Sequence, residues 1–185
     1  MSSKIITIFG SSQPKEGEFE YCYAYELGRE LAKNGFIICN GGYSGTMEAS
    51  SKGALDAGGK AIGITVKDLN YVPHNEYLFE DIVMPDIFSR IKKMMDLASA
   101  FIILKGGTGT LVELSIVWEF INKGFCDQKP IIVASSFWKP LVDLFIDEKS
   151  LGEFYNKNGK VRPCTEYLTT IESVSEITKY LRKKL

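Results

Sequence analysis

The sequence predicts an α/β protein: a Rossmann-like, doubly wound parallel sheet with helices on both faces. Short apolar runs alternate with helical patterns along the whole chain. Four of these runs, IITIF (5–9), FIIC (36–39), AFIIL (100–104) and PIIVA (130–134), are almost continuously apolar. Strands buried on both faces have this composition, and parallel sheets are covered on both faces by crossover helices. Glycine-bearing turns follow three of the runs, at the strand ends where open α/β sheets bind ligands.

The elements follow in order. IITIF is a buried strand, and a helix over 19–34 places Tyr23, Leu27 and Leu31 on one face until Gly35 stops it. FIIC is the second strand. GGYSGT (41–46) opens a helix that reaches Ala57 and ends at Gly58 and Gly59, and AIGIT (61–65) is the third strand. Residues 66–75 lack a pattern and read as a loop. YLFEDIVM (77–84) reads as a strand at or near an edge. Residues 86–98 are helical, with Ile87, Ile91, Met94, Met95 and Ala98 on one face. AFIIL is the next strand, 111–123 the next helix, PIIVA a further strand and 139–148 a helix. The polar stretch 150–160 reads as loop or frayed helix. A short strand is expected near 165–168, and a helix over 171–185 turns Val174, Ile177 and Leu181 inward.

The 185 residues suffice for one domain, so a single Rossmann-like nucleotide-binding domain over 1–185 is expected. Hydrophobic residues at 45% and charged residues at 24% are ordinary for a soluble globular protein. A formal net charge of −1 argues against a nucleic-acid partner bound through bulk charge. Cys22, Cys39, Cys126 and Cys164 form no C-x-x-C pair, and His74 is the single histidine, so no metal site is expected. Cys39 ends an apolar run and reads as a small core residue. MSSKIITIFG is too short and polar for a signal peptide, and no apolar run approaches membrane-spanning length. The expectation is a cytoplasmic protein without a membrane partner.

The turns are GSS (Gly10, Ser11, Ser12), GGYSGT (with Gly41, Gly42, Gly45 and Thr46) and GGTGT (Gly106, Gly107, Thr108, Gly109, Thr110). Glycine allows close backbone approach, and a helix start offers unpaired N–H groups at the positive end of its dipole. Together these favour a phosphate-type anion, and the serine and threonine hydroxyls add donors. One such turn can be required by strand-to-helix geometry alone; three on one sheet edge point to a ligand. The pattern G-x-x-x-x-G-K-[ST] is absent. G-x-G-x-x-G fails because Val112 holds its third place, and no acidic residue ends the strand at Gly63–Thr65 to hold an NAD ribose. A mononucleotide suits the loops better than a dinucleotide, and no cofactor is expected.

Glu113 has two readings. Thr110-x-x-Glu113 fits a capping box, which needs no chemistry. A carboxylate one turn from a phosphate loop is equally placed to act on a bound molecule. Arg90 falls at the border of its helix's apolar face, where arginines commonly lay the stem on the core and put the head in water; a functional Arg90 would reach a phosphate or a ribose hydroxyl. His74 stands alone in a loop and receives no role.

From Arg90 to Glu113 the chain, RIKKMMDLASAFIILKGGTGTLVE, resembles the LOG (Lonely Guy) family, formerly labelled "possible lysine decarboxylase". That family's signature is an arginine helix followed by a P-G-G-x-G-T-x-x-E loop. GSS, GGYSGTMEA and GGKAIGI (58–64) also fall where the family has its glycine turns, and the resemblance covers most of 5–134. It implies a phosphoribohydrolase that cleaves the N-glycosidic bond of AMP or of cytokinin riboside 5′-monophosphates, releasing base and ribose 5-phosphate. It implies Arg90 and Glu113 as the catalytic pair, Gly106, Gly107, Gly109 and Thr110 as the phosphate loop, and a homodimer. The chain departs from the family at Lys105, where the loop has proline, and at Ile91, where a basic residue usually follows the arginine. GGYSGTMEASSKGALDAGG also resembles molybdenum-cofactor carrier proteins, so the alternative is a non-catalytic carrier or sensor of a phosphate-bearing ligand such as molybdenum cofactor. The residues themselves suit glycosidic cleavage: a carboxylate can stabilise oxocarbenium charge and orient water. A homodimer is also suggested by surplus apolar surface on the 86–98 helix, where Phe88 and Leu97 lie off the main stripe.

Overall fold

The computed structural model describes residues 4–67, 72–148, 153–155 and 161–185. Its strands are β1 (Ile5–Phe9), β2 (Ile37–Asn40), β3 (Ala61–Val66), β4 (Glu80–Met84), β5 (Ala100–Ile103), β6 (Ile131–Val133), β7 (Glu153–Tyr155), β8 (Val161–Pro163) and β9 (Leu168–Thr170). Its α-helices are α1 (Phe19–Lys33), α2 (Thr46–Asp56), α3 (Ile87–Leu97), α4 (Thr108–Lys123), α5 (Lys139–Asp147) and α6 (Val174–Lys184). Seven strands form one sheet in the order β4-β3-β2-β1-β5-β6-β9, and every pairing within it is parallel.

Alternation along each strand divides the core, because successive side chains point to opposite faces. Ile6, Ile8 and Ile102 pack with Leu27, Leu31, Ala49, Ile177 and Leu181 of α1, α2 and α6. Phe9, Phe101 and Ile103 pack on the other face with Ile91, Met94, Leu114, Val117 and Val142 of α3, α4 and α5. The apolar runs are therefore almost unbroken because both strand faces are covered. Cys39 is fully buried in the second cluster, as expected of a core thiol.

The chain steps outward from β1 through β2 and β3 to β4, then crosses back through α3 to β5 on the other side of β1. The direction of winding reverses between β1 and β5. The loops that follow these two strands diverge there and leave a crevice at the carboxyl ends.

Several expectations are corrected. The strand expected over 77–84 narrows to β4 at the sheet edge. Glu153–Tyr155, read within a loop or frayed helix, pairs antiparallel with β8, which gives its backbone groups partners; 149–152 and 156–160 lie outside the described residues. The strand expected near 165–168 is a 3-10 turn, Cys164–Tyr167, with β9 directly after it. Val66 belongs to β3 rather than to the following loop, and 68–71 are outside the described residues. On α3, Ile87 is exposed, while Leu97 packs against the core. The apolar surplus on that helix is therefore Phe88 with Ile87, not Phe88 with Leu97.

Candidate functional site

Arg90 and Glu113 come together at the carboxyl ends of the strands, on the face covered by α3 and α4. Asp86 starts α3: its carboxylate accepts from the backbone N–H groups of Phe88 and Ser89 and from the Ser89 hydroxyl, as a good N-cap does. Arg90 follows one turn later and its side chain turns inward, only 8% exposed. Its Nε donates to the carbonyl of Ile64 at 2.6 Å. The guanidinium also lies 5.7 Å from the centre of the Tyr43 ring, a distance at which a cation is attracted by an aromatic face. The expectation of a solvated head is corrected: the end of β3 supplies a buried acceptor.

The slot exists because residue 41 is glycine. A Cβ there would overlap the Arg90 guanidinium and crowd Met47 Sδ. The loop after β2 is held from inside by Asn40, which is fully buried. Asn40 Oδ1 accepts from Gly42 N–H, and its Nδ2 donates to Met47 O and Ser51 Oγ. This residue was not singled out from the sequence, where it reads only as the polar end of an apolar run.

Glu113 faces the arginine, with Oε1 3.5 Å from Arg90 Nη1. Burial pushes its carboxyl up to about 7, and the nearby Arg90 charge offsets only part of that. The capping-box reading is corrected, because α4 begins at Thr108 with Gly107 as N-cap and Glu113 lies farther in than N3. The backbone remains helical from Thr108 and leaves Thr110 buried against Gly106. At the helix start, Gly107, Thr108 and Gly109 are exposed. Among the described residues, no protein acceptor takes the N–H groups of Gly107, Thr108, Gly109 or Thr110. These donors stand at the positive end of a 16-residue helix.

The other two loops lock together beside them. Thr46 N–H and Thr46 Oγ1 both donate to Ser11 O, at 2.9 and 3.1 Å, and Ser44 Oγ donates to Ser12 O. Gly45, at φ +71°, makes the turn; a side chain there would strike Ser11 O. Thr46 is 1% exposed, so it joins the two loops and does not offer its hydroxyl outward. Gly41 and Gly42 are likewise buried. Ser11, Ser12 and Gly106 keep exposed surface, and Ser11 and Gly106 line a cleft of about 400 Å³ with Gln13, Glu18, Glu20 and Lys105. Lys105 Nζ pairs with Glu20 Oε1 at 2.6 Å, which ties the β5–α4 loop to α1. Among the described residues, no group of three His, Cys, Asp or Glu side chains could hold a metal ion, and no helix is long and apolar enough to cross a membrane.

The family model described as "Possible lysine decarboxylase" matches residues 47–180 of this chain. The chain belongs to that family, the LOG family. Among LOG-type relatives, it is 31% identical over 178 residues to the pyrimidine/purine nucleotide 5′-monophosphate nucleosidase of Escherichia coli (strain K12), a match covering 91% of this chain and 38% of that protein. The chain thus spans well under half the length of that relative. It is 30% identical over 186 residues to a cytokinin riboside 5′-monophosphate phosphoribohydrolase of Arabidopsis thaliana, covering 97% of this chain and 82% of that one. In solved structures, the molybdenum cofactor binding protein of Rippkaea orientalis shares the fold with a TM-score of 0.76 at 22% identity, covering 100% of this chain and 98% of that one.

Proposed function

We propose that this chain is a nucleoside 5′-monophosphate phosphoribohydrolase, acting on AMP or a cytokinin riboside 5′-monophosphate. The observation that carries the reading is the buried Arg90–Glu113 pair on the strand ends, one helical turn beyond the free amides of Gly107–Thr110. The names carried by the relatives from E. coli and A. thaliana support the same class of substrate.

In this reading the amides at the start of α4 receive the 5′-phosphate. The phosphate is remote from the scissile bond, so its binding energy anchors the ribose for the chemical step. Glu113 lies one turn along the helix from that anchor. As C1′–N cleavage builds positive charge on the ribose, the ionised carboxylate stabilises it and takes a proton from the attacking water. Arg90 is fixed by Ile64 O and retains guanidinium N–H groups for ribose or phosphate oxygens. The protein acts as a homodimer, with Phe88 of α3 and Val112 of α4 as exposed apolar contacts.

Incubation with AMP and with isopentenyladenosine 5′-monophosphate, followed by chromatography, tests the reading directly. Release of free base with ribose 5-phosphate is expected. Tight binding of a phosphate-bearing ligand with no base release would replace it with the carrier function.

A further inference from the structure

Beside the candidate site, His74 and Asp81 form an oriented ionisable pair that the reaction above leaves unused. His74 Nδ1 lies 2.6 Å from Asp81 Oδ2. The other oxygen of that carboxylate accepts from Thr65 Oγ1 at 2.8 Å. Asp81 stands on β4 in register with Gly63 of β3, so paired strands fix the carboxylate. An ionised carboxylate can only accept, so Nδ1 turns its proton toward Asp81 and Nε2 is left for another partner. In the imidazolium both ring nitrogens donate; a protonated His74 keeps its bond to Asp81 and offers Nε2–H outward.

The pair is adjacent to the candidate site. The His74 ring meets the Tyr43 ring edge-on at 5.7 Å, and the Arg90 guanidinium lies 5.7 Å from the same ring. Asn75 fastens the loop behind it, donating from its backbone to Gly42 O and from Nδ2 to Tyr43 O. The imidazole is therefore held against the β2–α2 loop, which also shapes the arginine slot, and its side chain keeps 33% of its surface open.

We propose that His74, oriented by Asp81, contacts the departing base and protonates it. This rests on the phosphoribohydrolase reading and assigns that reaction its leaving-group acid. The C1′–N bond breaks with its electron pair moving to the base nitrogen, and the Nε2 proton passes to the base. Water adds to C1′ and gives its proton to the Glu113 carboxylate. Return of that proton to His74 through solvent resets both groups, so the sum is nucleotide plus water giving base plus ribose 5-phosphate. Adenine expelled as an anion is a poor leaving group, and neither Glu113 nor Arg90, acting on the phosphoribosyl side, relieves that charge. The competing role for His74 is mechanical: a clamp that holds its loop to β4.

Substrates with different leaving groups separate the two roles. His74→Gln retains an amide that can donate to Asp81 but cannot deliver a proton. AMP needs its base protonated; nicotinamide mononucleotide and 7-methylguanosine 5′-monophosphate release theirs without it. The variant is expected to lose about 10²-fold or more in kcat/KM on AMP, the range for a positioned acid, and little on whichever of the other two the wild type cleaves. Equal loss on both kinds of substrate identifies a clamp and overturns the proposal, as does unchanged AMP hydrolysis. His74 is the chain's single histidine, so its imidazole NMR signals are uniquely assigned; AMP must shift them, and an unperturbed imidazole also overturns the assignment. Wild-type protein that releases base from no nucleotide overturns the phosphoribohydrolase reading and this role with it, whereas an active wild type with an indifferent His74→Gln removes this role alone.

Discussion

Arg90 lies closer to a backbone carbonyl than to the carboxylate it faces: its Nε is 2.6 Å from Ile64 O, whereas its Nη1 is 3.5 Å from Glu113 Oε1. The strand end fixes the guanidinium, and Glu113 is attracted without being tightly paired. This is why burial prevails over the arginine and raises the carboxyl to about 7. A carboxylate locked in a bidentate pair would be a weaker proton acceptor, because the arginine would hold it ionised far below neutral pH.

Glu113→Gln is expected to retain the fold and AMP binding while cutting base release by roughly 10²- to 10⁴-fold. Since Glu113 does not occupy N3, the substitution leaves the start of α4 undisturbed. Wild-type kcat/KM should rise through about pH 7 as the carboxyl ionises, and that limb should be missing from the variant. Base release that survives Glu113→Gln unchanged would remove the carboxylate from the reaction.

The same carboxyl links stability to pH. Its folded value of about 7 lies above the ordinary 4.5. Between those two pH values the folded protein keeps a proton that the unfolded chain has released, so stability must fall as pH rises across that window. The contribution is on the order of 1–3 kcal/mol. Denaturant titrations at pH 5 and pH 8 should therefore differ more for wild type than for Glu113→Gln. A larger pH dependence in the variant would contradict the burial argument.

How much of this was legible in the sequence follows from the physics of each part. IITIF and AFIIL announced themselves because burial on both faces leaves almost no polar positions; Thr7 is tolerated because its hydroxyl donates to Met94 O. The helical pattern after GGTGT begins at Leu111 in the sequence, whereas α4 begins at Thr108, since Thr108 and Gly109 are poor helix residues whose place is set by the loop before them. Arg90 was expected at the border of its helix's apolar face, but its burial depends on Ile64 O and on the missing side chain at Gly41. Those partners lie 26 and 49 positions away in the chain, and no local pattern reports them. The pairing of His74 with Asp81 has the same character: two unremarkable residues on a loop and an edge strand, joined by strand register.

Lys105 stands where the family loop has proline, and its ammonium is engaged with Glu20. Both side chains keep contact with solvent, 53% and 29% exposed, and such pairs contribute only about 0–1 kcal/mol. Lys105→Met should shift stability by less than about 1 kcal/mol and leave the KM for AMP nearly unchanged. A large rise in KM would instead place the ammonium on the substrate phosphate.

Phe88 is 74% exposed at the start of α3, and Val112 is 48% exposed on α4. Exposed apolar side chains of this kind suit the proposed partner contact. Light scattering at micromolar concentration should give a dimer mass, and Phe88→Glu should lower it to that of a monomer with the circular dichroism spectrum preserved. A monomeric wild type would leave these side chains without the proposed role.

Gly41→Ala tests the arginine slot without touching either charged residue. The backbone at Gly41 is not left-handed, so alanine meets no conformational penalty and the whole effect is steric. The added methyl would occupy the space of the Arg90 guanidinium and press on Met47 Sδ. Methionine can move aside, being unbranched and flexible. Arg90 cannot yield without weakening its hydrogen bond to Ile64 O or its contact with Tyr43. Overpacking of this kind costs about 1–3 kcal/mol, which thermal unfolding would register as a modest loss. Turnover of AMP should fall about as far as in Arg90→Ala, although the arginine is still present. Arg90→Lys in the same assay gives the comparison: it keeps the charge but lacks the planar fork that serves the carbonyl and a ligand together. Full activity in Gly41→Ala would mean that the arginine does not need this geometry to act.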